Sequence, residues 1–135
     1  MKLWMTAAGL LLCTSAQAHP IDGALDRCLD SAGTTVAMTA CYRDASKAWD
    51  SEMNRAYSQL MKNLTGTPKE KLRNAQRQWL AYRDSWQSAS ADYFTQTQGT
   101  LAQISISAQG VALVRNQALM LQSLNKGSCA SDKDC

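Results

Sequence analysis

The chain has 135 residues, 45% of them hydrophobic, and a formal net charge of +3. That is room for one domain with one core, and the charge is too near neutral to argue for nucleic acid as a partner. A single histidine, His19, argues against Ser-His or Cys-His catalysis and His-rich metal sites, so no cofactor or metal is expected.

Residues 1–18 read as a signal peptide. Lys2 supplies a positive start, Leu3 to Leu12 an apolar stretch, and Ala16-Gln17-Ala18 the small residues that precede cleavage before His19. The apolar stretch is too short to span a membrane. Lipidation at Cys13 is the alternative, but the large Leu12 precedes it where such signals want a small residue. Taking residues 1–18 off the 135 leaves 117 residues and, without Lys2, a charge of +2. Export implies an oxidising space, with a periplasmic or secreted location.

The expected mature chain divides into a helical domain over 19–127 and a polar tail over 128–135. A short first helix is predicted from Ala24 to Ala32, with Asp22 as its N-cap and Gly33 as its stop. A second, long helix is predicted from Thr35 to Leu64, capped by Thr34. Cys41, Ala45, Trp49, Met53, Ala56, Leu60 and Leu64 recur at three- and four-residue steps and define its inner face. Gly66 is the stop. Thr67-Pro68-Lys69-Glu70 reads as a capping box with proline at the first helical position, opening a third helix that runs to about Gln96. Leu72, Gln76, Trp79, Tyr82, Trp86, Ala89 and Tyr93 are expected on its inner face.

Gly99 breaks that helix. A fourth is predicted from Leu101 to Asn125 and ended by Gly127, with Leu101, Ile104, Ala108, Val111, Ala118 and Leu121 inward. Ile104 to Ser107 alternates as a strand would. Each long helix has one apolar stripe, so none stands alone in water. Short links make chain neighbours antiparallel. The expected fold is all-α: an antiparallel bundle of three long helices plus a short N-terminal helix, stapled by disulfides.

Cys28, Cys41, Cys129 and Cys135 remain after the leader, and four cysteines allow three pairings. Cys28 with Cys41 and Cys129 with Cys135 is the most local choice. The first bond would staple the short helix to the second. Neither pair has the two-residue spacing of a redox dithiol.

The second and third helices carry a pattern. Asn54 and Tyr57 stand on one, and Gln76, Trp79, Tyr82, Arg83 and Asp84 on the next. This arrangement resembles the LprI-like lysozyme-inhibitor family of small exported bacterial proteins, over about Cys28 to Leu121. The resemblance implies an all-helical exported domain with lysozyme inhibition as its activity. Gln87 and Gln109 stand where family members often carry a further cysteine pair, and Arg115 or Gln117 could replace the family's arginine in the last helix.

The signature residues are read as an interhelical hydrogen-bond network that sets the bundle's register, with Arg83 paired to a carboxylate such as Asp50. Asp22, Asp26 and Asp30 repeat every four residues, and a solvated face explains them better than calcium. His19 is read as a frayed terminus rather than a copper site. Lys62, Lys69, Lys71, Arg73 and Arg77 cluster about the second turn. Trp49, Trp79 and Trp86 are read as core, and any of them left exposed becomes a binding anchor.

The function expected is a non-enzymatic, stoichiometric inhibitor of lysozyme-type muramidases that occludes the cleft. The turn at Thr65–Thr67, with Lys62, Asn63 and Lys69, and the segment with Thr97 and Gln98 are the candidate projections. The alternative is an envelope adaptor that binds another protein or cell-wall polymer. A hydrolase fares worst, because Asp50 and Glu52, two apart on a helix, point to different faces.

Overall fold

Four α-helices carry the chain: α1 (Pro20–Ser31), α2 (Thr35–Asn63), α3 (Gly66–Gln98) and α4 (Ala102–Ser128), with a 3-10 turn at Gly99–Leu101 joining the last two. This is a computed structural model, and it describes residues 19–128. The expected leader, Cys13, Cys129 and Cys135 lie outside the described residues. No strand occurs among the described residues, and Ile104 to Ser107 is helical.

The helix ends follow local chemistry. Thr34 Oγ1 accepts from the Ala37 N–H at 3.1 Å and opens α2 as expected. Gly66 and Gly99 have φ of +58° and +56°, a region that side-chain-bearing residues rarely adopt, and each makes a reversal of the chain there. Three expectations need correction. The helix α1 begins at Pro20, not Ala24, and its N-cap is His19, whose Nδ1 accepts from the Ile21 N–H at 3.3 Å. The helix α3 begins at Gly66, two residues before the expected start, and Glu70 pairs forward with Arg73 instead of closing a capping box. Gly127 does not stop α4, which continues to Ser128.

The core is a seam between α2 and α4. Ala45, Trp49, Met53, Ala56 and Leu60 of α2 close against Val111, Val114, Ala118 and Leu121 of α4. Trp49 and Met53 are 0% and 1% exposed, and burying side chains of this size contributes about 1.5–3 kcal/mol each. Cross-links step the same way along both helices: Gln122 Nε2 donates to Glu52, and Asn125 Nδ2 to the Ala56 carbonyl. The two helices therefore run parallel, while α3, between them in sequence, returns antiparallel to α4, its Gln76 paired to Gln117 and its Gln87 beside Gly110.

The helix α1 lies on this pair, held at both ends. Cys28 and Cys41 form a disulfide with Cα atoms 5.7 Å apart. At the other end the His19 ring sits 4.3 Å from that of Trp49, so His19 is packed, not frayed. Ile21 and Leu25 fill the space between.

The helix α3 departs most from its sequence reading. Leu72 and Trp79 pack on the core and Gln76 is buried, but Tyr82, Trp86 and Tyr93 are 52%, 43% and 63% exposed, and Ala89 is exposed too. The inward line instead passes through the half-buried Leu80, Arg83, Ala91 and Phe94. Leu101, expected to begin the last helix, closes the 3-10 turn and faces solvent, while Ala102 and Val114 of α4 are buried.

Two stability changes follow. Replacing Cys28 and Cys41, 13 apart in sequence, by serine opens the loop they close and should cost about 3 kcal/mol in denaturant unfolding. Gly110 lies inside α4, where an added Cβ meets only the Gln87 side-chain amide at an ordinary 3.5 Å. Gly110→Ala should therefore raise stability by about 0.5–1 kcal/mol, read from the same unfolding curves.

Candidate functional site

The end of the bundle where α2 turns into α3 gathers the expected projection. Lys62 and Asn63 end α2 and are exposed, Thr65, Gly66 and Thr67 are exposed in the turn, and Lys69 is half-buried in the first turn of α3. Thr97 and Gln98 are exposed at the other end of α3, whose 33 residues put the two candidate projections about 50 Å apart. Gln98 is engaged by Ser105 across the second reversal. Lys62, Asn63 and Lys69 lie together at one end of the bundle, and Thr97 and Gln98 lie at the other.

Beside the first turn lies an apolar groove of about 430 Å³, lined by Leu60, Leu64, Pro68, Leu72, Ala75 and Leu124 with Lys71 at its edge. Leu124 is 55% exposed. Sequence reasoning missed this groove because it needs α4 beside the turn. The signal available was the run Leu60, Leu64 and Leu72, split by the turn.

The charges are not evenly spread. From Arg55 to Arg77 the chain carries six basic side chains and one acidic, whereas the rest of residues 19–128 carries eight acidic and six basic. The basic stretch surrounds the turn, and Lys126 stands beside Arg55 at the same end of the bundle. A near-neutral total thus hides a molecule with a basic tip and an acidic body.

The signature residues divide between structure and surface. Gln117 Nε2 donates to Gln76 Oε1 at 2.8 Å, a buried link of α3 to α4. Asn54 Nδ2 donates to Asp50 at 3.0 Å along α2, and Tyr57 is half-buried against the core. Arg83 does not pair with Asp50. Its Nε donates to the adjacent Asp84 at 2.9 Å and its guanidinium lies 5.6 Å from the Trp79 ring. Arg83 and Asp50 line a polar cleft of about 470 Å³ with Lys47, Ser51 and Gln87, too far apart for a direct bond. Tyr82 faces out, its ring 6.2 Å from that of Trp86. Glu52 is turned to Arg55 and Gln122, away from the cleft that Asp50 lines.

One polar cluster joins three helices. Arg115 of α4 grips Asp22 of α1: Nε donates at 3.0 and 2.9 Å and Nη2 at 2.8 Å. The same guanidinium lies 5.5 Å from the Trp49 ring. Asp22 is therefore an ion-pair partner and not part of a solvated face; Asp26 and Asp30 are exposed. Among the described residues no group of three or more His, Cys, Asp or Glu side chains is placed to hold a metal. None of their helices is long and apolar enough to cross a membrane.

The fold and the bond define a small disulfide-stapled all-helical domain, with Gln76, Trp79, Tyr82, Arg83 and Asp84 on one of its helices. The sequence model of the lysozyme inhibitor LprI matches residues 26–121, and the chain belongs to that family. The crystal structure of an uncharacterised protein from Burkholderia thailandensis is similar, with a TM-score of 0.68 and 28% identity over 80% of this chain. The match covers 54% of that chain, so this chain spans about half of its length. Among curated proteins no match was found.

Arg115 hydrogen bonding holds the Asp22 carboxyl below its ordinary value of 3.8, and Arg55 lowers Glu52 from 4.5. A carboxylate lowered on folding stabilises the fold above its unfolded value, and that contribution is lost as pH falls through the folded one. Unfolding followed from pH 7 to pH 2 (roughly the range over which such carboxylates titrate) should show stability falling below the region of those two values. Asp22→Asn should cost about 1 kcal/mol at neutral pH and make the acid limb shallower.

Proposed function

We propose that this protein is an exported inhibitor of lysozyme-type muramidases that acts by one-to-one binding. Residues 1–18 direct export and are removed before His19, and the domain works in the periplasm or outside the cell. Membership of the LprI lysozyme-inhibitor family supports this reading, as does the Cys28–Cys41 disulfide, a bond suited to an oxidising compartment.

The observation that carries the choice of contact surface is the basic tip. A muramidase cleft holds two carboxylates that flank the sugar bond. An occluding element must be rigid, positively charged and narrow enough to enter. The turn at residues 62–69 projects from two long helices, with Lys62 and Lys69 about the exposed Asn63 and Thr65. Because the helices are already packed, little ordering entropy is lost on docking. The apolar groove beside the turn would take a side chain from the cleft's rim. The acidic body would face the rest of a basic enzyme, so association gains steering that the net charge of the chain does not suggest.

Adding mature protein to several lysozyme classes while cell-wall clearing is followed tests the reading. Clearing should stop at about one equivalent with at least one class. Lys62→Glu with Lys69→Glu should weaken inhibition by about tenfold or more, with melting unchanged. Uninhibited clearing by every class at large molar excess would overturn the proposal. Clearing by the protein alone would revive a hydrolase.

A further inference from the structure

The exposed face of α3 is a second surface, separate from the basic tip. Tyr82, Trp86 and Tyr93 stand at steps of four and seven residues and so lie on one side of the helix. They are 52%, 43% and 63% exposed. The Tyr82 and Trp86 rings are 6.2 Å apart and nearly parallel, at 22°. Tyr93 lies about 10 Å further along the axis. The exposed Gln78, Ser85, Ala89 and Gln96 flank or separate these rings; the charges at the margins are the exposed Asp92 on one side and the half-buried Arg83, paired with Asp84, on the other. Towards the turn the same side passes through Ala75 and Lys71 to Pro68, and so into the apolar groove.

The dimensions select the occupant. Three aromatic side chains about half exposed offer about 300 Å² of ring surface. A stable contact with a folded protein, a second copy included, takes roughly 800 Å² from each partner. A lipid surface would call for unpaired basic residues along the strip, whereas Arg83 there is paired with Asp84 and the other basic residues of α3 lie towards the turn. What fits is a linear ligand one side chain wide, uncharged, with apolar faces and polar edges. A pyranose chain has that form. Its axial C–H groups stack on aromatic rings, and its hydroxyl and acetamido groups meet side-chain amides and hydroxyls at the edges.

We propose that the outward face of α3 binds a linear glycan of N-acetylated sugars, stacking neighbouring sugars on Tyr82 and Trp86 and one further along the chain on Tyr93. The binding chemistry stands on the strip itself. Its assignment to cell-wall glycan, the polymer that muramidases cleave, rests on the inhibitor reading above. The protein would then be held on the polymer it protects, with its basic tip free.

Calorimetric titration of the mature protein with the tetramer of N-acetylglucosamine, and co-sedimentation with protein-free peptidoglycan sacculi, test this. Saturable binding to both is expected. Trp86→Ala with Tyr93→Ala should weaken each by about tenfold or more, with the helical circular dichroism and melting preserved because both side chains are exposed. Met120→Ala, at a residue 65% exposed on α4, should change neither. Failure of either glycan form to bind overturns the proposal, as does a double variant that binds like the parent. Sedimentation abolished by high salt would assign binding to the basic tip and overturn it. A concentration-dependent dimer lost in the double variant would assign the strip to a second copy and overturn it as well. Inhibition of lysozyme by the double variant should be unchanged, so failure of the glycan assay and failure of the inhibitor reading are separately visible.

Discussion

Trp49 lies where α1, α2 and α4 meet, and the rest of the molecule is arranged around its burial. Its indole is closed in by the α4 side of the core, by the His19 ring and by the Arg115 guanidinium. Small residues beside it, Ala45 on one helix and Ala118 on the other, let the parallel pair approach closely. Once that pair is fixed, the Cys28–Cys41 bond and the Asp22–Arg115 ion pair have a surface on which to hold α1. A helix of 12 residues has little stability of its own, so its order is borrowed from this junction.

The helix α3 has a different standing. It contributes Leu72, Trp79 and Gln76 to the interior and keeps most of its side chains in water. Gln87 lies against α4 at Gly110. In this chain the helix is held there by packing and by the Gln76–Gln117 bond. Freed from filling the core, its aromatic side is available at the surface. The division of labour is physical: α2 and α4 supply cohesion, α3 supplies exposed chemistry, and the turn between α2 and α3 supplies the concentrated charge.

Much of this was legible in the residues. The inner face of α2 follows its three- and four-residue steps, and all of Cys41, Ala45, Trp49, Met53, Ala56 and Leu60 are buried. The Thr34 cap and the Cys28–Cys41 pairing were readable because both are local. The face of α3 was not. Its aromatic residues and its inward residues form two stripes sharing Leu72, Gln76 and Trp79, then diverging, one to Tyr82, Trp86 and Tyr93, the other to Arg83, Ala91 and Phe94. Hydropathy favours the first, but the α2–α4 seam leaves room only for the second. Long-range pairs were also illegible. Asp22 and Arg115 are 93 residues apart, and nothing in the spacing of Asp22, Asp26 and Asp30 singles out the first. The basic tip was visible as a cluster, but its contrast with an acidic body depends on the helices folding back on one another. Of the candidate site, Lys62, Asn63 and Lys69 converge, while Thr97 and Gln98 fall at the far end because a single unbroken helix separates them.

The separation between Asp22 and Arg115 also orders events during synthesis. A chain made from its N-terminus delivers α1 and α2 long before α4. The Cys28–Cys41 link joins residues 13 apart in sequence and needs no part of α4 in order to close. The ion pair cannot form until the last helix arrives. Without α4, α1 has no Arg115 to pair with Asp22, and Trp49 has no cover on that side. One helix thus does both jobs: α4 encloses the tryptophan and clasps the first helix.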